Sequence, residues 1–171
     1  KSLQAGFYII ENNNEVSEVK NILGIKNLFP AKKIVIRNIS DANSIKEIEK
    51  QSIPILKTIS WWTLIADTNN LALDDLGWKV DPPLGSKENR EFLIKSLESD
   101  LIQAIAVNSN PLNDEDTFVP INDRSVGISS FELVLPLLWE EFVRKRSWPV
   151  PKLWKYLSFN PSNLLGIKEE K

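Results

Sequence analysis

Ile102-Gln103-Ala104-Ile105-Ala106-Val107, running into Asn108-Ser109-Asn110-Pro111-Leu112, is the stretch on which the fold turns. The first six residues are short, apolar and partly β-branched, which predicts a buried strand. The Asn-Pro turn signal that follows ends it and opens a mostly polar loop over residues 108–124. Just upstream, Ser86 is placed to cap a helix over about residues 87–98, with Phe92, Leu93 and Leu97 facing inward. The same alternation recurs toward the N-terminus. Residues 33–38 read as a buried strand. Ser40 or Asp41 can cap the next helix, which turns Ile45 and Ile48 inward, and residues 53–59 read as another strand with Pro54 near its start. Val16, Val19, Ile22 and Leu23 have helical spacing, with Gly24 as the expected stop.

Strands separated by helices imply parallel β-α units, hence an α/β chain: part of a (β/α)8 barrel or a doubly wound sheet. In a barrel, the residues just after each strand form the functional face. Those are residues 38–41, 60–63, 81–85 and 108–112. Farther on, Ser129 stands three residues before Glu132, the spacing of a capping box. It predicts a helix carrying Phe131, Val134, Leu135, Leu138 and Phe142, with Pro136 as a kink or first-turn residue. Pro151 should open a further helix, and Asn160-Pro161 a last short one ending at Gly166.

Composition narrows the chemistry. The 171 residues suit one domain, 1–171, and 42% hydrophobic with 26% charged residues reads as globular. There is no His and no Cys, so the commonest zinc ligands and most acid-base and nucleophilic reagents are missing. A net charge of −2 favours neither nucleic acid nor an anionic membrane. No stretch approaches the roughly 20 apolar residues of a membrane span, and no signal peptide is visible. The lack of Cys makes the cytoplasm the expected location. A chain that starts at Lys1 and contains no Met does not show its own translation start, and a fragment, a processed product or an incomplete sequence is expected.

The four loops, in order, resemble those of dihydroorotase, a cyclic amidohydrolase of the metal-dependent (β/α)8 barrel superfamily. Where that family shows His-Val-Ser-Thr, this chain has Asn38-Ile39-Ser40-Asp41. For Thr-Pro-His-His-Leu it has Ser60-Trp61-Trp62-Thr63-Leu64. For Asn-Pro-Pro-Leu-Arg it has Asp81-Pro82-Pro83-Leu84-Gly85. For Asp-Ala-Ile-Ala-Thr-Asp-His-Ala-Pro-His it has residues 103–112. Residues 127–136 and 158–166 resemble the family's Gly-x-x-Gly-Leu-Glu-x-x-Leu-Pro and Ser-x-Asn-Pro-Ala-x-x-x-Gly. Gly85 and Leu137-Leu138-Trp139 look closest to a cyanobacterial branch. The resemblance implies a partial TIM barrel, matching the C-terminal half of a dihydroorotase over about residues 15–166.

The departures fall on the chemistry. The resemblance implies that the two His-bearing loops supply metal ligands, and that the Asp after the last strand binds metal and shuttles a proton. Here those positions hold Asn38, Trp62 or Thr63, and Asn108. Asn is no carboxylate base, Trp offers no lone pair and Thr is a poor ligand. No catalytic or metal-binding residue is therefore expected, nor the family's zinc. Asn38, Trp62, Thr63, Asp81, Gly85, Asn108 and Ser109 are read as positions of a degenerate pocket. Trp61-Trp62 forms either a stacking platform or core, and a Trp in place of a ligand His can plug an emptied pocket. Asn108 either hydrogen-bonds a small molecule or caps its loop. Asp114-Glu115-Asp116 is either a hard-cation site or a solvated loop. Arg144-Lys145-Arg146 complements a helix end or holds phosphate.

The reading that follows is an inactive, dihydroorotase-like structural or regulatory subunit. Its expected partner is an active dihydroorotase, an aspartate transcarbamoylase, or a missing N-terminal half-barrel. Two alternatives stand beside it: a fragment of a complete dihydroorotase hydrolysing the cyclic amide of dihydroorotate, and a metal-free module binding a pyrimidine-like ligand.

Overall fold

Three short parallel strands, β1 (Val35–Ile36), β2 (Leu56–Ser60) and β3 (Ala104–Ala106), lie side by side in that order. The computed structural model describes residues 13–51, 54–69, 71, 76–120, 123–129 and 131–167. Val35 pairs with Leu56 and Thr58 with Ala104. Ile39 N donates to Thr58 O at 2.9 Å, and Trp61 N to Ala106 O at 3.2 Å, just past the strands. Parallel pairing puts all three C-terminal ends on one side of the sheet, so the loops that follow them meet there. The strands are shorter than the apolar runs that announce them, and Ile53, the expected start of β2, lies outside the described residues.

Helices connect and flank the strands. α1 (Asn13–Leu28) comes first, α2 (Ala42–Glu49) joins β1 to β2, and α3 (Trp62–Ile65) and α4 (Lys87–Glu98) lie between β2 and β3. The caps are those that the sequence offers. Asp41 accepts from Asn43 N at 2.7 Å, and Ser86 from Asn89 N at 3.2 Å. The core gathers Ile45 and Ile48 of α2, Ile59 of β2, Leu93, Ile94 and Leu97 of α4, and Ile105 of β3. After β3 come α5 (Asp114–Thr117) and α6 (Val134–Leu138), which runs on into π-helical turns at Trp139–Lys145. α7 (Val150–Trp154), a π-helical stretch at Lys155–Phe159 and α8 (Asn160–Leu165) follow. Gly166 closes α8 in the left-handed conformation, φ 70°.

Three local expectations are corrected. α1 passes through Gly24 to Leu28; glycine in a helix costs only about 1 kcal/mol. Lys26 binds the carbonyls of Pro30 and Lys32 beyond its end, which anchors the turn there. The Ser129/Glu132 spacing does not start a helix. Ile128 is held instead in an antiparallel bridge with Asn110, and α6 begins only at Val134. Phe131 is consequently 77% exposed, whereas Leu138 and Phe142 are fully buried. Pro136 sits in the first turn, where its missing N–H removes no bond. The acidic run after β3 is also no plain loop. It forms the single turn α5, with Asn113 N donating to Asp116 at 3.1 Å.

A buried charge cluster locks α4 to the chain's end. Arg90 donates to Leu64 O at 2.8 Å and to Glu141 at 2.6 Å, and Arg146 bridges Glu141 at 3.0 Å and Glu91 at 2.7 Å. The Arg144-Lys145-Arg146 cations thus meet carboxylates of their own chain, Arg144 pairing with Glu140 and Lys145 with Glu141. No helix among the described residues is long and apolar enough to cross a membrane.

The late start of α6 is testable by urea denaturation. Leu138→Ala should cost about 2–5 kcal/mol, and Phe131→Ala should stay within roughly 0.5 kcal/mol of the parent. Equal losses would put Phe131 in the core after all.

Candidate functional site

The C-terminal ends of the three strands bring together side chains that are far apart in sequence. Asn38 follows β1, Ser60 ends β2 and Asn108 follows β3. The two amide protons on Asn108 Nδ2 reach both others, donating to Asn38 Oδ1 at 3.0 Å and to Ser60 Oγ at 3.1 Å. Strand alternation makes this possible: Thr58 and Ser60 point to one face, Lys57 and Ile59 to the other. Asn38 takes a left-handed backbone, φ 56°, which Asn tolerates better than most residues. Its own N–H donates to Thr58 Oγ1 at 3.1 Å. The result is a neutral, hydrogen-bonded bridge across all three strand ends.

The loop after β1 is clamped from two sides. The Glu15 carboxylate accepts from Ser40 N at 3.1 Å, Ser40 Oγ at 2.5 Å and Asp41 N at 3.1 Å, at the positive end of α2. Asn89 of α4 donates to Ser40 O and accepts from Ala42 N, both at 2.8 Å. Gly85 makes room for that second clamp, since a Cβ there would run into the Asn89 amide.

Beside the bridge opens a cavity of about 210 Å3, walled by Trp62, Asp81, Asn108, Ser109, Asn110 and Gly127 among others. Four of the seven residues read from the sequence as pocket positions therefore line it: Trp62, Asp81, Asn108 and Ser109. Asn38 reaches it through Asn108. Thr63 and Gly85 do not line it. Thr63 is buried and donates to Ser60 O at 2.7 Å, and Gly85 serves Asn89. Trp61 is fully buried, edge-on to Trp62 with ring centroids 6.1 Å apart, so the pair is no open stacking platform. Trp62 is a fixed wall, its Nε1 donating to Pro82 O at 3.0 Å.

Sequence reasoning passed over Ser60, Asn110 and Gly127. Ser60 and Asn110 lay within the matched loops and Gly127 opened the matched segment 127–136, but none was singled out as a pocket position. Gly127 N donates to Lys79 O at 2.9 Å, and a Cβ on Gly127 would strike Asn110 O. Both contacts are long-range, and neither leaves a local signal.

The donor set does not fit zinc. Asn38, Trp62, Thr63 and Asn108 offer neutral amides, a hydroxyl and an indole, and no group of three or more His, Cys, Asp or Glu among the described residues could hold a metal. The acidic run is included in that statement: its carboxylates belong to α5.

No family model matches the chain. It is 29% identical over 123 residues to a dihydroorotase of Staphylococcus epidermidis, covering 72% of this chain and 29% of that protein. It is 29% identical over 167 residues to a probable dihydroorotase-like protein of the cyanobacterium Synechocystis, covering 90% and 38%. The chain thus spans about a third of the curated relatives it matches. Among solved structures, an L-hydantoinase of Arthrobacter aurescens superposes with a TM-score of 0.78 at 18% identity, covering 91% of this chain and 36% of that one. A dihydroorotase of Campylobacter jejuni gives 0.71 at 20%, covering 90% and 44%. An inactive dihydroorotase-like domain of a Chaetomium thermophilum CAD-like multifunctional protein gives 0.61 at 18%, covering 89% and 42%. The described residues share the fold of part of these proteins, an α/β arrangement with parallel strands.

Asn108→Asp tests the bridge. It replaces two donors with a carboxylate facing Asn38 Oδ1 and should cost about 1–3 kcal/mol near pH 7. Facing Asn38 Oδ1 in a half-buried setting, that carboxyl should titrate above its unfolded value, so the loss shrinks as pH falls through the raised pKa and the protonated group donates again. Unchanged chemical stability across pH 4–8 would show that the bridge contributes nothing.

Proposed function

The chain's sequence and structural homologues are dihydroorotases and dihydroorotase-like proteins, and on that premise we propose that it is a catalytically inactive member of the pyrimidine-biosynthetic group, a cytoplasmic pseudoenzyme acting as a structural or regulatory part. One observation carries this reading: Asn108 hydrogen-bonds Asn38 and Ser60 across the strand ends, where the family resemblance implies metal ligands and a proton-shuttling carboxylate. Amides at these positions provide no Lewis acid, no activated water and no general base. The bridge pairs Asn108 Nδ2 with Asn38 Oδ1 and Ser60 Oγ without any charge, so these groups are held together with no cation between them. A fold shared with a solved domain described as inactive supports the same direction.

The partner belongs to the proposal. β1 and β3 are both edge strands among the described residues, with Val35 and Val107 partly exposed at them. Open parallel edges require cover, and a barrel has none when closed. Further β-α units of the same kind, from a longer parent chain or from a separate subunit, are the natural cover. An active dihydroorotase or an aspartate transcarbamoylase is the proposed assembly partner.

The test is hydrolysis of dihydroorotate by the full-length protein that carries this chain, with zinc supplied and then chelated. No turnover above the metal-only background is expected under either condition. Turnover that requires zinc and disappears with chelator would instead identify the chain as part of a working dihydroorotase.

A further inference from the structure

We propose that the cavity beside the Asn38–Asn108 bridge binds a small, planar, cationic or amine-bearing molecule and turns carboxylates away. This deepens the preceding reading and rests on its metal-free pocket. The volume, about 210 Å3, exceeds the roughly 150 Å3 of an engineered cavity that holds benzene.

The direction of the donors around the cavity sets its preference. Both Nδ2 protons of Asn108 are engaged by Asn38 and Ser60. Asn110 Nδ2 donates to Val126 O at 2.8 Å, and Trp62 Nε1 to Pro82 O at 3.0 Å. Among the described lining residues, that leaves an anion the Ser109 hydroxyl and one proton of Asn110 Nδ2 as side-chain donors, neither of them charged. A cation finds the opposite. Among the described residues lining the cavity, Asp81 contributes the only formal charge. Trp62 contributes an aromatic wall, whose ring quadrupole attracts cations. Two cations lie nearby in sequence, Lys79 next to Val80 and Arg124 next to Ser125. Both are buried, Lys79 Nζ donates to Arg124 O, and neither lines the cavity. Acid, indole and amides already anchored within the chain together make the surroundings of an amidinium or ammonium group. Dihydroorotate, which carries a carboxylate, would meet the Asp81 charge instead.

Benzamidine, benzamide and benzoate hold shape nearly constant while charge runs from positive through neutral to negative. Their affinities are to be measured by calorimetry on the full-length protein, first with chelator and then with added zinc. With chelator, affinity should fall in the order benzamidine, benzamide, benzoate, with about tenfold or more between the extremes for a partly exposed charge pair and ring contact. Asp81→Asn should bring the three together, and Asp81→Glu, which keeps the charge, should retain the order. Melting curves check that both variants fold. No binding of benzamidine at millimolar concentration, an equal or tighter benzoate, or an order that survives Asp81→Asn would overturn the cation site. A benzoate preference that appears only once zinc is added would overturn the metal-free reading beneath it.

Discussion

The side-chain amide of Asn108 is the group on which the account of this molecule depends. It ties the ends of three strands through Asn38 and Ser60, at a place where parallel β-α architecture concentrates polar groups. Buried or half-buried polar groups must find partners, and a barrel mouth emptied of its metal would leave several without one. Here the chain supplies both sides of the interaction. An Asn has two donors and an acceptor, enough to close such a mouth without a charge. On the proposed reading, Asn108 stands where the resemblance implies a metal-binding base, and its amide holds the strand ends together in that place.

Around that bridge, the remaining departures are mutually consistent. Gly85 leaves space for Asn89, which fixes the carbonyl of Ser40 and with it the loop that bears Asn38. Glu15 neutralises the start of α2 from the other side. Trp62 fills volume and is pinned by Pro82, and Trp61 becomes part of the core. Away from the mouth, the Arg90–Glu141–Arg146–Glu91 cluster joins α4 to the C-terminal helices. Its charges are balanced locally, which is the condition for burying them. On the proposed reading the scaffold is kept for shape and contacts, and these packed and hydrogen-bonded groups are what would keep it.

Much of this was legible in the sequence because it rests on local physics. Strand identity followed from short β-branched runs, and the caps at Asp41 and Ser86 from side chains that reach their own helix. The loop positions that meet at the mouth followed from parallel topology alone. What escaped was long-range. The bridge between Asn110 and Ile128 overrode the local Ser129/Glu132 cap signal, since a segment held in strand geometry cannot also begin a helix. Gly24 failed as a stop because Lys26 and the packing of Val19 and Leu23 carry α1 past it. Thr63 looked like a pocket residue from its motif position, but one turn of α3 directs its hydroxyl back to Ser60 O.

The most direct measurement is a crystal structure of the full-length protein grown with excess zinc and recorded at the zinc absorption edge. The expected result is Asn108 Nδ2 within hydrogen-bond distance of both Asn38 Oδ1 and Ser60 Oγ, with no anomalous peak between them. A zinc peak coordinated at that position, with the Asn38–Asn108 contact broken, would contradict the claim that this mouth is closed without a metal.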